Sequence, residues 1–379
     1  MKRIKFNVDD VLPHLAQTAR LVSTKTTMPI LSNVLIESVA DNTMMLTACD
    51  QESWLSMKVP VDSCEGDVNI CVNAANFNSA LSNLNGRVVV MDIDEEKRSV
   101  TCDYSIGQFS LPYDNGADFP RAEAMSSEGA ETKIFSSKGL FSALDKVSFA
   151  TSTDELRPAL TGIHFEFTAD GMVTAASDAH KLARYADMTM KAEEGEDVAG
   201  ITVTKRSATI LTSILLNTEG NVKMVFNTRT AVFNNTKFRL VTRLIEGKFP
   251  NFSSVIPRDN NIKTTVNTDD FSAALRRTAP MSNAASKLIT LSFAEGYMTV
   301  AADDKDLQKS ACESLTCDYN ESPMTIGFNS NNLSAMLKSI GSDGCTICLK
   351  SPVSACVFKP SQEEEGTDFL VVVMPTRVQ

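Results

Sequence analysis

Histidine is scarce in this chain, three residues in 379, and one of them, His180, follows two groups it could work with. Ser177 could be a nucleophile and Asp178 could orient the imidazole, the arrangement of an acyl-transfer site. The local pattern argues otherwise. Ser177, Asp178 and His180 close an alternating run in which neighbouring side chains point to opposite faces of a strand, and no Gly-x-Ser-x-Gly turn exposes a nucleophile. His180 is therefore read as a residue following a strand, not as a base. The run Glu193-Glu194-Gly195-Glu196-Asp197 reads as a solvated acidic loop, and no Gly-x-x-x-x-Gly-Lys-Ser/Thr segment marks an ATPase site. Among nine cysteines, only Cys345 and Cys348 stand at Cys-x-x-Cys spacing, which on a strand turns the two sulfurs to opposite faces. No second pair completes a zinc site, so the cysteines are expected to be reduced core thiols. No catalytic residue, metal or cofactor is expected.

Bulk composition narrows the class. Lys and Arg total 36 against 47 Asp and Glu, a net charge of −11, which argues against a protein that coats nucleic acid with a broadly basic surface. Hydrophobic residues at 43% and charged residues at 22% are those of a soluble, folded chain. The longest strongly apolar stretch, Phe369 to Met374, is too short to span a bilayer, and Met1 to Phe6 runs into Asp9 and Asp10 without the apolar core of a signal peptide. A cytoplasmic location is expected.

The elements that position these residues repeat. Phe6-Asn7-Val8-Asp9-Asp10-Val11 leads into an apolar stripe at helical spacing, and so do Phe135-Ser136-Ser137-Lys138-Gly139-Leu140 and Val266-Asn267-Thr268-Asp269-Asp270-Phe271. Two alternating runs follow each, joined at Asp41-Asn42, Asp170-Gly171 and Glu295-Gly296, which predicts hairpins. Their second strands end alike, in Ala48-Cys49-Asp50, Ala176-Ser177-Asp178 and Ala301-Ala302-Asp303. A further helix then starts near Asn73, Thr204 and Asn329, and Asp118-Phe119-Pro120 and Lys248-Phe249-Pro250 mark equivalent exits. The expected architecture is α+β: three repeated domains, 1–123, 131–253 and 256–379, each two copies of a helix-plus-antiparallel-sheet unit.

Charge is unevenly spread. The predicted helices, 9–23, 73–84, 137–150, 205–216, 269–281 and 329–340, carry eight basic and five acidic residues, so the excess of acid lies outside them. Helices packed side by side in a closed ring at about 9.5 Å leave a hole of about 8 Å with six helices and about 26 Å with twelve. Two chains would make room for a nucleic-acid duplex; one would not.

Specific segments carry a family resemblance: Met28-Pro29-Ile30-Leu31-Ser32-Asn33, Ala176-Ser177-Asp178-Ala179-His180-Lys181-Leu182-Ala183, Glu246-Gly247-Lys248-Phe249-Pro250 and Val372-Val373-Met374-Pro375-Thr376-Arg377-Val378. In this order, over essentially the whole chain, they resemble the β sliding clamps, processivity subunits of bacterial DNA polymerase III. The resemblance implies a non-catalytic homodimeric ring of six domains that encircles duplex DNA. It also implies a pocket for short linear peptides of the polymerase III alpha subunit, the clamp loader and repair polymerases. By motif position the pocket floor would comprise Leu160, Leu182, Val255, Val353, Val372, Met374, Pro375 and Val378. Arg157, Ser177, Ala179, His180, Lys181, Pro250, Thr376 and Arg377 would supply walls and polar anchors. Ala179 stands where Gly is common and Lys181 where Arg is usual, and an ammonium cannot make a guanidinium's forked hydrogen bonds. The dimer seam is expected at Phe109 and Leu111 against the third domain near Met281, and Lys25, Lys205, Arg206, Arg276, Arg277 and Lys338 are expected to face DNA. The competing readings are a carboxylate-based hydrolase with a site between the repeats, and a ring that encloses nothing.

Overall fold

One order of elements, a strand, a helix and three further strands, recurs six times along the chain. The computed structural model describes residues 2–23, 26–40, 42–126, 128–190 and 200–378. The first pass comprises β1 (Lys2–Asn7), α1 (Val8–Ala19), β2 (Asn33–Val39), β3 (Thr43–Cys49) and β4 (Ser53–Pro60), then a short β5 (Ser63–Glu65). The second comprises β6 (Asn69–Asn73), α2 (Ala74–Leu81), β7 (Val88–Asp94), β8 (Ser99–Asp103) and β9 (Gln108–Asn115). The third has β10 (Glu131–Ser136), α3 (Ser137–Ser148), β11 (Gly162–Thr168), β12 (Gly171–Ser177) and β13 (Lys181–Asp187). The fourth has β14 (Ile201–Thr204), α4 (Lys205–Leu215), β15 (Asn221–Phe226), β16 (Thr230–Asn234) and β17 (Phe238–Arg243). The fifth has β18 (Ile262–Asn267), α5 (Thr268–Thr278), β19 (Leu288–Ala294), β20 (Tyr297–Asp304) and β21 (Lys309–Thr316). The last has β22 (Met324–Asn329), α6 (Ser330–Ile340), β23 (Gly344–Leu349), β24 (Cys356–Pro360) and β25 (Thr367–Val373).

Five of these helices begin where a side chain accepts from a backbone N–H that has no intrahelical partner. Asn7, Asn73, Asn267 and Asn329 accept from the N–H groups of Asp9, Asn76, Asp270 and Asn331, and Thr204 accepts from that of Ser207. A cap of this kind contributes about 1 kcal/mol. The helices are shorter than their periodicity predicts. The expected 9–23 stops at Ala19, 73–84 narrows to Ala74–Leu81, and 269–281 becomes Thr268–Thr278. Pro280 has no N–H to continue the ladder, so the chain leaves α5 through a 3-10 turn, Ala279–Met281.

The strands assemble into two compact units, Met1–Lys138 with Thr209–Leu244, and Gly139–Ala208 with Ile245–Gln379. The first holds a thirteen-stranded sheet in the order β10-β15-β16-β17-β4-β3-β2-β6-β9-β8-β7-β1-β5. The second holds an eight-stranded sheet, β14-β11-β12-β13-β25-β24-β23-β18, and a four-stranded sheet, β21-β20-β19-β22. Segment 131–253, read from the sequence as one domain, gives strands to both units. The cause is edge pairing: β17 joins β4, with Leu240 opposite Leu55, and β13 joins β25, with Leu182 opposite Val372. One face of each sheet is covered by helices; Val8, Val11 and Leu15 of α1 pack into a buried cluster with Val34, Ile36 and Leu46. Burying each such side chain contributes about 1.5–3 kcal/mol.

Lys146, counted above among the basic helix residues, is not a solvated cation. Its ammonium donates to the carbonyls of Ser339 and Ile340 at 2.6 and 3.0 Å, capping the C-terminus of α6, and lies 5.1 Å from the Phe369 ring centroid. Burial pulls it below the ordinary lysine range. All nine cysteines are free. Burial pushes Cys71, Cys102, Cys345 and Cys356 up to about 12, whereas Cys312 on β21 is exposed and is no core residue. Among the described residues no helix is long and apolar enough to cross a membrane.

Candidate functional site

Around the Leu182–Val372 pair in the second unit the chain leaves a cavity of about 220 Å³. Leu160 reaches it from the 3-10 turn Pro158–Leu160, and Phe249, Pro250, Phe252 and Val255 enclose it from the segment after Ile245. Met374, 42% exposed, lines it just past β25. This lining suits aliphatic or aromatic side chains that arrive from solvent, and a thioether adapts its shape to them.

The polar edge is Ser177, Ala179 and Lys181, which belong to the turn between β12 and β13. Asp178 organises that turn. Its Oδ1 accepts from the N–H groups of His180 and Lys181 at 2.9 and 2.8 Å, and its Oδ2 takes the Lys181 ammonium, which also donates to Asn332 at 3.3 Å. Burial pushes the Asp178 carboxyl up, but the Lys181 ammonium and both N–H groups outweigh it and hold the group below the ordinary carboxylate range. Ala179 sits at φ +73°, a left-handed conformation that costs a residue with a Cβ about 1–2 kcal/mol. The same turn recurs at Asp50, whose Oδ1 accepts from Glu52 and Ser53, with Gln51 at φ +78°. After β20, which runs one residue past the Ala301-Ala302-Asp303 end read in the sequence, it is Asp304 whose Oδ1 accepts from the Leu307 N–H at 3.3 Å.

These groups do not make a nucleophile and base. The Ser177 hydroxyl donates to the Lys181 carbonyl at 2.8 Å, Asp178 is spent on Lys181, and His180 is exposed. Among the described residues no group of His, Cys, Asp and Glu is arranged to hold a metal ion. The acidic run 193–197 lies outside the described residues.

A different histidine shapes the cavity. His164, buried on β11, stacks on Phe249 with ring centroids 4.7 Å apart and planes 5° from parallel. Its Nδ1 lies 3.0 Å from the Thr202 hydroxyl and its Nε2 3.3 Å from Glu166. Gly200 makes room for it, since a Cβ there would stand 2.7 Å from the imidazole Cε1. Such a stack contributes about 0.5–1.5 kcal/mol beyond area burial. His164→Ala is therefore expected to lower the melting temperature and to weaken binding of an apolar peptide, and His164→Phe, which keeps a ring beneath Phe249, to recover the binding. Calorimetry on the two variants checks this; unchanged peptide affinity in His164→Ala removes the role.

The expected pocket residues divide. Leu160, Ser177, Ala179, Lys181, Leu182, Pro250, Val255, Val372 and Met374 line the cavity together. His180 contributes its carbonyl, which accepts the Met374 N–H at 2.9 Å. Arg157 is drawn to Asp154 at 2.9 Å, and Val353, 78% exposed, stands in the turn between β23 and β24, off the lining. Pro375, Thr376, Arg377 and Val378 run on past it. The Thr376 N–H donates to the Gly327 carbonyl at 2.8 Å, and Gly327 has no Cβ where one would meet Thr376 and Val378, so this tail is tied to β22. Phe249 and Phe252, the aromatic walls, were missed in the sequence; the signal was the recurrence of Phe-Pro at Phe119-Pro120 and Phe249-Pro250.

Of the residues expected at DNA, Lys205 and Arg206 open α4, Arg276 lies in the last turn of α5 and Lys338 in that of α6, all exposed. Arg277 is gripped by Glu313 of β21, through Nε at 2.6 Å and Nη2 at 2.5 Å, so its charge is already answered. Lys25 lies outside the described residues. Phe109 and Leu111 are half-buried on β9 against the first unit's core, and Met281 is half-buried at the end of the turn after α5.

Residues 3–123, 135–251 and 253–377 match, in that order, the N-terminal, central and C-terminal domains of the DNA polymerase III beta subunit. The beta sliding clamp of Pseudomonas putida is 27% identical over 369 residues, covering 97% of this chain and 98% of that protein. That of Streptococcus pneumoniae is 25% identical over 388 residues and all of both chains. The crystal structure of a DnaN sliding clamp from Bartonella birtlesii bound to griselimycin matches with a TM-score of 0.89 at 26% identity, again over all of both chains. With three domains matched in sequence order and the fold shared end to end, the chain belongs to the beta sliding clamp family, the non-catalytic processivity subunits of DNA polymerase III.

Proposed function

We propose that two copies of this chain close head to tail into a cytoplasmic ring of six repeated domains around duplex DNA, and that the second unit's cavity receives short peptides of the polymerase III alpha subunit, the clamp loader and repair polymerases. The domains are taken as 1–123, 131–253 and 256–379. One observation carries the dimer. Strands β4, β13 and β21 hold the same place in successive repeats; β4 pairs with β17 and β13 with β25, whereas β21 has no such partner among the described residues. The matching strand is β9, which reaches β6 only from Tyr113 onward and leaves Gln108–Pro112 with an open edge. A second copy supplies β9 to β21. Twelve helices then surround a hole of about 26 Å.

Sliding requires loose contacts that read no base, from a few cations to phosphates. Neutralising Arg206 and Arg276 together to Gln is expected to shorten retention on nicked circular DNA after loading and to flatten its salt dependence. Arg277→Gln should do less, because Glu313 already holds that guanidinium. Retention equal on circular and open linear DNA overturns the ring reading altogether.

A further inference from the structure

The first unit carries a counterpart of the peptide cavity, altered into something else. Trp54 follows the Asp50 turn as Leu182 follows the Asp178 turn, and it faces Val241 across the strands as Leu182 faces Val372. Pro120 corresponds to Pro250. Here the indole fills the space, its Nε1 donating to the Pro120 carbonyl at 3.0 Å. Beyond the indole, on the same sheet face, lies a cleft of about 370 Å³. Leu55, Met57 and Val59 of β4 point into the core, so Trp54, Ser56 and Lys58 line the opposite face.

The cleft holds cations without anions to match. Arg239 lies directly opposite Ser56, which places it diagonal to Lys58 on one face, at a spacing of about 7–8 Å. Both are exposed, and among the described residues neither has a carboxylate at ion-pair distance. The cleft's own carboxylate, Glu37, accepts from Nη1 and Nη2 of Arg121, each at 2.9 Å. Like charges left side by side on a sheet are unfavourable, and in a chain of net charge −11 they are conspicuous. Trp54, the Ser56–Arg239 row and Lys58 form three steps, each two residues along β4. An extended peptide advances about 6.6–6.8 Å per two residues, the same step. We propose that this cleft is a second docking site, for an extended acidic peptide of a partner protein that sets an apolar side chain on Trp54 and carboxylates at the next two alternate positions on Arg239 and Lys58. Two unanswered cations beside an indole suit that pattern; a nucleic-acid duplex, with a charge every 1.7 Å or so, would need many more.

Trp54 is the chain's only tryptophan and so reports on its own site. The full-length protein is titrated with the blocked peptide acetyl-Leu-Ser-Glu-Ser-Glu-amide, following tryptophan emission, with calorimetry on the same solutions. Saturable binding is expected, weakened about tenfold or more in the double variant Lys58→Gln, Arg239→Gln and likewise when Gln replaces both Glu in the peptide. The double variant should bind peptides at the Leu182 cavity unchanged, which separates the two sites. Absence of both heat and emission change overturns the proposal, as does equal affinity of the Gln peptide or of the double variant. It is equally overturned if inorganic phosphate or a short oligonucleotide displaces the peptide at concentrations where it should not compete.

Discussion

Leu111→Asp combined with Met281→Asp is expected to turn the protein from a dimer into a monomer at micromolar concentration, measured by sedimentation equilibrium. If β9 of one copy lies along β21 of the next, Leu111 and Met281 meet in the seam, and the substitutions bury two like charges without partners. That costs several kcal/mol, and since each 1.4 kcal/mol is tenfold, the dimer dissociation constant should rise about 10²–10³-fold. Both side chains are half-buried in the single chain, so each unit should stay folded. Retention on circular DNA should vanish with the dimer, while peptide binding at the Leu182 cavity persists. A double variant that still sediments as a dimer places the seam elsewhere.

The second large effect is at that cavity. Met374→Asp should reduce the affinity of an apolar, polymerase-derived peptide by about 10- to 100-fold, because a carboxylate at the edge of an apolar lining must be desolvated by the incoming side chain, at a cost of about 1–3 kcal/mol. Met374 is 42% exposed, so the melting temperature should hardly move. Leu182→Ala makes a useful contrast. Leu182 is 3% exposed and packs with Leu160, Phe252 and Val372, so this change should cost about 2–5 kcal/mol of stability as well as peptide affinity. Calorimetric titration with melting curves distinguishes the two; undiminished peptide binding by Met374→Asp would exclude the cavity as the docking site.

How far the sequence could be read depended on whether a feature was local. The helix starts beside Asn7, Asn73, Asn267 and Asn329 and the hairpins about Gly171 and Gly296 came from neighbouring residues and stand where expected. Nine lining residues of the cavity were legible because two short motifs hold most of them. Features made by residues far apart in the chain were not. Nothing near Lys146 shows that it caps a helix nearly two hundred residues later, and nothing near Arg277 shows Glu313 waiting on β21. His164 looked like one more residue of an alternating run; its stack on Phe249 exists only once β11 and the segment after Ile245 are brought together. The tie of the tail to β22 was hidden for the same reason, since Thr376 and Val378 stand against Gly327, a residue defined by lacking a side chain.

The pairing of β4 with β17 and of β13 with β25 also sets a timetable. Residues 55 and 240 lie opposite each other, as do 182 and 372, so each seam closes a very long loop and pays its entropy before any contact repays it. Hairpins such as β3–β4 and β12–β13 can form as soon as they leave the ribosome. Their outer edges cannot be covered until Arg243 and Val373 have been synthesised. During that interval two unpaired strands, both carrying apolar side chains, are open to any other chain with a free edge. For a protein made in this order, the hazard of misassembly belongs to nascent chains, and it persists at least until β25 has been made.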